Sequence, residues 1–173
     1  MAIRTAAAFE AMYRANYEDV LAFVRRRAHP MTVDDVVGET FLISWRRRAD
    51  LPEDVRPWLF RTARNLMLNA SRSGNRQRAL ALRLAADYDA HACDPMGFAE
   101  TRVDFTAAWQ ALSAADRELL ALHVWEGLKD RDAAKVLSCS RAGYSMRLSR
   151  AKRRLAKLAG SATTLSPVAD LST

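Results

Sequence analysis

The segment SRAGYSMRLSRAKRRLAKL, residues 140–158, limits strongly how this chain can fold. In a helix with about 3.6 residues per turn, one apolar stripe runs along the segment. The stripe is formed by Tyr144, Leu148, Ala151, Leu155 and Leu158. The remaining positions include seven arginine or lysine residues and no acid. The sequence therefore predicts a helix that packs along the stripe and presents positive charge to a polyanion on its outer face.

Charge is distributed unevenly along the 173 residues, whose formal net charge is +7. Residues 1–86 contain 15 arginines against nine acids, and residues 129–157 contain ten cations against two acids. Between these blocks, residues 87–118 contain seven acids and two arginines. Two basic blocks around an acidic middle predict two surfaces that contact a polyanion, separated by a connecting segment.

Helical periodicity dominates the rest of the chain, and no alternating β-branched run with hairpin punctuation is present. The pattern predicts an all-α fold with two small helical domains joined by a linker. Helices are expected at about 7–27, ended by Pro30, at 32–48 with Thr32 as N-cap, and from Trp58 to near Ser73-Gly74. The predicted organisation is an N-terminal domain at 7–74, a linker at 75–105, a C-terminal domain at 106–159 and a flexible tail at 160–173.

The C-terminal domain has the order of a helix-turn-helix motif. An apolar helix that Ser113 and Asp116 can cap is stopped by Gly127, and the short helix DRDAAKVL and the turn SCS then lead into the basic segment. In such a motif the second helix enters the major groove, and its later cations reach phosphates. A basic run alone is more often a solvated helix face. Here the missing acids and the preceding helix and turn favour DNA binding.

Other classes of site find no support in the sequence. The candidate metal ligands are Cys93, Cys139, His29, His91 and His123. Their spacing matches no metal motif, so we expect neither a metal nor another cofactor. A Gly-rich phosphate loop and a clustered set of carboxylates are both lacking, which argues against an enzyme. No apolar run approaches transmembrane length, and charged residues interrupt the first apolar stretch, so we expect a cytoplasmic protein without membrane insertion.

Three further stretches resemble one protein family, in the right order: DVVGETFLISWRR, LPEDVRPWLFRTARNLMLNASR and LSAADRELLALHVWEGL. Together with the helix-turn-helix they are similar, over about residues 7–159, to bacterial RNA polymerase sigma factors of the extracytoplasmic-function (ECF) group of the sigma-70 family. The resemblance implies an alternative sigma factor that binds core RNA polymerase, at the β′ clamp helices and the β flap, and recognises the −10 and −35 elements of promoter DNA. It implies no catalytic site in the chain and makes an anti-sigma factor a candidate partner.

The resemblance also assigns roles to residues of the N-terminal domain. The polymerase-docking residues would be Asp35, Glu39, Thr40, Phe41 and Trp45. Exposed acids suit a polar partner, whereas the two aromatic residues alternatively belong to the core. The side chains expected to bind the melted −10 strand are Arg61, Arg64, Asn65 and Arg72. The loop at 49–56 matches the family's specificity loop for an unstacked base.

Contacts with the −35 element are expected from Arg141, Ser145, Met146, Arg147, Ser149, Arg150 and Lys152. The sequence departs from the usual family pattern at four places. Gly38 replaces a common glutamine, Ser138 a common glycine, and Gly143-Tyr144 a common Thr-Val pair. Residues 129–132, KDRD, replace the usual aromatic- and acid-containing start of the first helix of the motif. Glycine inside a helix costs about 1 kcal/mol relative to alanine. The departures in the C-terminal domain bear on the −35 sequence preference.

Two alternatives stay open at this point. A helix-turn-helix transcriptional regulator acting without polymerase docking would explain the basic helix, but not the tryptophan-containing helices before it. A sigma-like protein that has lost promoter activity would explain the departures at Gly38 and Gly143.

Overall fold

The computed structural model describes the backbone of residues 5–81 and 102–163. Within these ranges all regular secondary structure is helical, which confirms the all-α fold class. The chain divides into two compact units, an N-terminal one built on three α-helices and a C-terminal one built on four.

The N-terminal unit consists of α1 (Ala6–Arg25), a 3-10 turn (Pro30–Thr32), α2 (Val33–Arg46) and α3 (Arg56–Ala81). Each of the three α-helices packs against the other two. Their buried side chains include Val20, Phe23 and Val24 from α1, Val37 and Phe41 from α2, and Leu59, Phe60 and Ala63 from α3. The rings of Phe23 and Phe60 stack with centroids 4.5 Å apart, so an aromatic contact joins α1 to α3 inside the core.

Local hydrogen bonds explain where the first two helices begin. Thr5 caps α1 by accepting a hydrogen bond from the N–H of Ala8 (3.2 Å). Thr32 occupies the N-cap position of α2, but its hydroxyl donates to the carbonyl of His29 (2.9 Å) and makes no capping bond. The prediction that the Thr32 side chain caps α2 is therefore wrong, because the preceding turn takes its hydroxyl.

Helix α3 is longer than its sequence predicts. It begins at Arg56, with Pro57 in the first turn, where a missing N–H leaves no bond unmade. It then continues past Gly74 to Ala81, so the predicted end near residue 74 is wrong. A single glycine costs a helix only about 1 kcal/mol, and the residues after it are mostly good helix formers. The predicted linker at 75–105 starts and ends in helix, and its residues 82–101 lie outside the described part of the chain.

The C-terminal unit consists of α4 (Arg102–Ala111), α5 (Ala114–Val124), α6 (Asp130–Val136) and α7 (Arg141–Thr163). Both α4 and α5 pack against α7. The predicted stripe of α7 is confirmed: Tyr144, Leu148 and Ala151 are buried, and Leu155 and Leu158 are half-buried. The predicted tail at 160–173 begins inside α7, and residues 164–173 lie outside the described part of the chain.

Caps and left-handed residues set the helix ends of the C-terminal unit. Ser113 caps α5, as predicted, by accepting a hydrogen bond from the N–H of Asp116 (3.1 Å). Gly127 follows this helix with a φ of +59°, which confirms its role as a helix stop. Ser138, in the turn between α6 and α7, has a φ of +54°, a conformation that costs a residue with a Cβ more than it costs glycine.

Candidate nucleic-acid interfaces

Helix α7 presents a polar and cationic stripe opposite its buried side. The fully buried positions Tyr144, Leu148 and Ala151 define the packed side. On a helix, the side chains that point the other way are those of Met146, Ser149, Arg150 and Arg153, and all four are exposed. We call these four residues the outer stripe. Three of them were predicted to contact DNA, whereas Arg153 was not.

A serine cap fixes the start of α7. The Ser140 hydroxyl accepts a hydrogen bond from the N–H of Gly143 (3.1 Å), which satisfies one of the free donors at the start of the helix. A Cβ added at Gly143 would lie 3.0 Å from the same hydroxyl oxygen. Glycine at position 143 therefore leaves room for the Ser140 cap, whereas a larger residue would crowd the capping hydroxyl.

Ser145 links the two helices of the helix-turn-helix motif. Its hydroxyl lies within hydrogen-bonding distance of the Asp130 carboxylate at the start of α6, and 3.1 Å from the carbonyl of Arg141. Ser145 is half-buried, although it was predicted among the DNA contacts. The geometry gives it a bond inside the protein, which orients α7 relative to α6.

Lys152 also has a partner within the protein. Its Nζ lies 2.8 Å from Nε2 of His123, near the end of α5. An ammonium group can only donate, so the imidazole nitrogen is the acceptor in this contact. Lys152 and Ser145 flank the outer stripe on one side of α7, and both hold contacts to neighbouring helices.

Arg154 forms an ion pair with Asp116 that sequence analysis missed. Its Nη1 donates to both carboxylate oxygens of Asp116, at 3.0 and 2.7 Å. Asp116 is buried, and the pair joins the first turn of α5 to α7. The partners are 38 residues apart in the chain, and no local pattern signals such a contact. Of the two adjacent arginines, Arg153 therefore points outward and Arg154 is structural.

Tyr144 is the buried side chain that ties α7 to α5. Its hydroxyl donates a hydrogen bond to the carbonyl of Leu119 (3.1 Å). Burial, together with smaller contributions from Asp130 and Cys139, raises the pKa of Tyr144 from 10.0 to about 12. The phenol stays protonated at neutral pH, as a hydrogen-bond donor must.

Helix α2 exposes an acidic face with one apolar residue on it. Asp35 and Glu39 are exposed, and Leu42 follows on the same side of the helix. We call these three residues the acidic face. Thr40 and Phe41, which were predicted with them, are buried. The Thr40 hydroxyl donates to the carbonyl of Val36 (2.6 Å), and the Phe41 ring contacts that of Tyr13 at a centroid distance of 4.6 Å.

Trp45 lies at the border between core and surface. Its ring meets the edge of Phe9 at 4.9 Å, and the guanidinium of Arg48 covers it at 4.3 Å. The side chain is still 36% exposed. One side of the Trp45 ring therefore packs inside the unit, and the rest is exposed.

Helix α3 brings together most of the residues predicted for the −10 strand. Arg61 and Asn65, one turn apart, are exposed, and Arg64 beside them is half-buried. Arg72 lies on the same helix, but its side chain is outside the described residues. The loop before the helix exposes residues 52–54, while Val55 is buried. The exposed loop and the first turns of α3 thus belong to one continuous stretch of chain.

An ion pair that the sequence did not reveal holds the start of α3. Nε of Arg56 lies 2.6 Å from Oδ2 of Asp19 on α1, and the guanidinium stands over the Phe60 ring at 5.0 Å. The contact connects residues that are distant in sequence, so periodicity alone gives no signal for it. Its effect is to fix the first turn of the helix next to the exposed loop.

Two other kinds of site are absent from the described ranges. No group of three or more histidine, cysteine or acidic residues there has the geometry to hold a metal ion. Among the described helices, none combines the length and apolarity needed to span a bilayer.

Comparison with protein families matches both units. Sigma-70 region 2 matches residues 12–77, and Sigma-70, region 4, matches residues 102–155. The first match includes the acidic face and the −10 candidates. The second includes α6, the turn and α7 as far as residue 155, and with them the outer stripe.

Two curated relatives are similar to the chain. The probable RNA polymerase sigma factor RfaY of Xanthomonas campestris pv. campestris is 34% identical over 128 residues, or 69% of this chain. The chain spans about a third of that relative, 32% of its length. The RNA polymerase sigma factor NccH of Alcaligenes xylosoxydans xylosoxydans is 30% identical over 136 residues, which cover 73% of this chain and 72% of the relative.

Two solved structures share the fold. The sigma factor RpoE in complex with the anti-sigma factor NepR, from Bartonella quintana, gives a TM-score of 0.67 at 23% identity, covering 92% of this chain and 98% of that one. CnrH in complex with the cytosolic domain of CnrY gives a TM-score of 0.62 at 24% identity, covering 92% of each chain. At these identities the likeness concerns the fold alone.

Proposed function

The chain belongs to the sigma-70 family of RNA polymerase sigma factors and has the two-domain organisation of its ECF group, and we propose that it acts as an alternative sigma factor. In this role it binds core RNA polymerase and directs initiation at promoters with −10 and −35 elements. One observation carries the proposal: a single chain contains a region 2 unit with an acidic helix face and a region 4 unit with a cationic helix stripe.

The acidic face of α2 docks on the β′ clamp helices, while the C-terminal unit contacts the β flap. Asp35 and Glu39 offer charge to a polar partner, and the half-open Trp45 offers apolar area at the end of the same helix. Thr40 and Phe41 support docking indirectly, because their buried side chains hold α2 against α1 and α3. Leu42 joins the docking residues, since it is exposed beside the acids.

The exposed loop and the first turns of α3 hold the melted −10 strand. Arg61, Arg64 and Arg72 neutralise phosphates, and Asn65 can both donate to and accept from a base edge. The ion pair of Arg56 with Asp19 supports this role, because a reading helix needs a fixed orientation.

The outer stripe of α7 enters the major groove at the −35 element. Arg150 is its best candidate for a base contact, since a guanidinium can bind guanine with two hydrogen bonds. Arg141 and Arg147 are exposed near the start of the helix and suit the flanking phosphates. Arg153 extends the predicted set by one phosphate contact.

Three finer points belong to the same proposal. The chain has no catalytic site of its own, since polymerase supplies the chemistry. It works in the cytoplasm, where promoter DNA and polymerase are found. An anti-sigma factor is its regulator, a role suggested by the NepR complex of the related fold.

A regulator that acts without polymerase is not favoured, because the match to region 2 covers the helices that such a protein would not need. A sigma-like protein without promoter activity would give no transcripts, so transcription assays distinguish it. The test is run-off transcription on promoters selected with the reconstituted holoenzyme. We expect transcripts only when the chain and core polymerase are both present.

A charge-reversal pair tests docking in the same assay. Asp35→Lys with Glu39→Lys should weaken binding to core polymerase by about tenfold or more, because two acids at an interface become repulsive. The matched control is Glu10→Lys with Glu18→Lys, which reverses two exposed acids on α1. Equal losses in both variants, or tight operator binding by the isolated chain at physiological salt, would contradict the proposal.

A further inference from the structure

We propose that Met146 is a specificity-determining residue that contacts the C5 methyl group of a thymine, or of a 5-methylcytosine, in the major groove of the −35 element. The inference rests on the proposed function and names one chemical group of the DNA that α7 reads.

The exposure of Met146 is the first observation. Its side chain is 53% exposed in the second turn of α7, on the outer stripe with Ser149, Arg150 and Arg153. Single exposed apolar residues are common on protein surfaces, so exposure alone proves little. The early turns of a recognition helix, however, are the part that faces base edges. The apolar group that the major groove displays on a base edge is the C5 methyl of thymine.

The contact between Met146 and Arg150 is the second observation. Nη2 of Arg150 lies 3.2 Å from Sδ of Met146, so the two side chains extend side by side over one turn of the helix. If Arg150 binds a guanine, Met146 lies beside it at the level of a neighbouring base pair. Its unbranched, polarizable side chain can adapt to a methyl group there.

The partners of the flanking residues are the third observation. Ser145 is bonded to Asp130, and Lys152 to His123, so the two polar residues on one flank of the outer stripe hold contacts inside the unit. Met146 and Arg150 stand between this flank and the other side of α7. They are therefore the side chains best placed to read two adjacent base pairs.

The test uses holoenzyme and a duplex promoter with a −35 element obtained by selection. Each thymine of the element, on both strands, is replaced singly by deoxyuridine, and each cytosine by 5-methylcytosine. Closed-complex affinity is then measured for the wild type and the variants. We expect one position at which the methyl group strengthens wild-type binding by about fourfold, the effect of burying one such group.

The variants separate methyl recognition from other roles of Met146. Met146→Ala should lose sensitivity to the methyl group at that position, whereas Met146→Leu should retain it, because leucine keeps the apolar contact without the sulfur. Met31→Ala removes a methionine that is 83% exposed in the N-terminal unit, and this control should retain full sensitivity.

Two results would overturn the inference. One is a wild type for which no methyl group in the element affects binding. The other is a Met146→Ala variant that binds methylated and unmethylated duplexes with the wild-type ratio, which would indicate that Met146 only positions Arg150 or packs against a protein. Selection that yields no −35 element at all would instead contradict the proposed function.

Discussion

The hydroxyl of Tyr144 donates a hydrogen bond to the carbonyl of Leu119, and this buried bond joins α7 to α5 across 25 residues of sequence. Tyr144 lies one turn before Leu148 on the packed side of α7. Its bond therefore helps to fix how the outer stripe is presented, although the residue itself contacts no DNA.

Replacing Tyr144 with phenylalanine should destabilise the protein by about 1 kcal/mol, because a buried hydrogen bond between α7 and α5 is lost. Chemical denaturation measures the change. Tyr13→Phe is the control, since that tyrosine is partly exposed on α1. A Tyr144→Phe variant as stable as the control would show that the bond contributes nothing.

Stability should also fall between about pH 10 and about pH 12 through the same residue. The unfolded chain releases the phenolic proton near pH 10.0, whereas burial raises the pKa of Tyr144 in the folded state to about 12. The folded state binds more protons in this window, so the stabilisation is complete below it and is lost as the pH rises, by about 2–3 kcal/mol in total. The decline in this window should be smaller for Tyr144→Phe than for the wild type.

Adjacent arginines of α7 should respond differently to alanine. Arg154→Ala removes the partner of the buried Asp116 carboxylate and should lower the free energy of unfolding by about 1–3 kcal/mol. Arg153→Ala should leave stability almost unchanged and weaken promoter binding uniformly across sequences, with a shallower salt dependence. Denaturation and promoter binding are measured on both variants. A loss of stability in Arg153→Ala, or unchanged stability in Arg154→Ala, would contradict these roles.

The left-handed residues offer a paired test of backbone strain. Ser138→Gly should stabilise the protein by about 0.5–1 kcal/mol, since its φ of +54° suits glycine. Gly127→Ala should destabilise by a similar amount, because its φ of +59° does not suit a Cβ. Thermal melting distinguishes the two, and a shift of the same sign in both variants would refute the strain argument.

The two helical glycines should also differ when replaced by alanine. An added Cβ at Gly38 meets nothing within 4 Å, so Gly38→Ala should stabilise α2 by about 1 kcal/mol. At Gly143 the added Cβ would lie 3.0 Å from the Ser140 hydroxyl, so the gain in helix propensity should be reduced or reversed there. Equal gains at both positions would mean that the Ser140 cap adjusts freely.

Arg150 and Asn65 should affect different steps of initiation. Arg150→Ala should weaken the closed complex by about 1–3 kcal/mol if the lost contact is bidentate to guanine. Asn65→Ala should leave the closed complex nearly intact and impair opening or the choice of −10 base. Pre-melted templates separate the steps, since unpairing is already done. Full activity of Arg150→Ala on a −35-dependent promoter, or wild-type −10 preference of Asn65→Ala, would contradict this assignment.

Local patterns were sufficient to predict much of the fold. The apolar stripe of α7, the Ser113 cap and the stop at Gly127 follow from residue spacing, because each depends on neighbours within one or two turns. The end of α3 did not follow, since Gly74 is tolerated inside a helix that the next residues sustain. The Thr32 hydroxyl likewise bonds to the carbonyl of His29 instead of capping α2, and the sequence pattern does not indicate which of these bonds forms.

The sequence predicted which helices carry the candidate sites, but not which of their side chains are exposed. The resemblance assigned Thr40 and Phe41 to the docking helix, yet only the packed structure shows that both lie inside the unit. The pairs Asp19–Arg56 and Asp116–Arg154 join distant parts of the chain, so they became visible only in three dimensions. Burial and long-range pairing decide which charged residues remain available to a partner.

The ion pair between Arg154 and Asp116 restricts which substitutions the chain can accept during evolution. Lysine keeps a positive charge and is an adequate replacement at Arg153, whereas a replacement at Arg154 must also reach both carboxylate oxygens of the buried Asp116. Two neighbouring positions with the same residue thus have unequal freedom to vary. Among homologues, the first should drift between arginine and lysine, while the second should change only together with the residue at position 116.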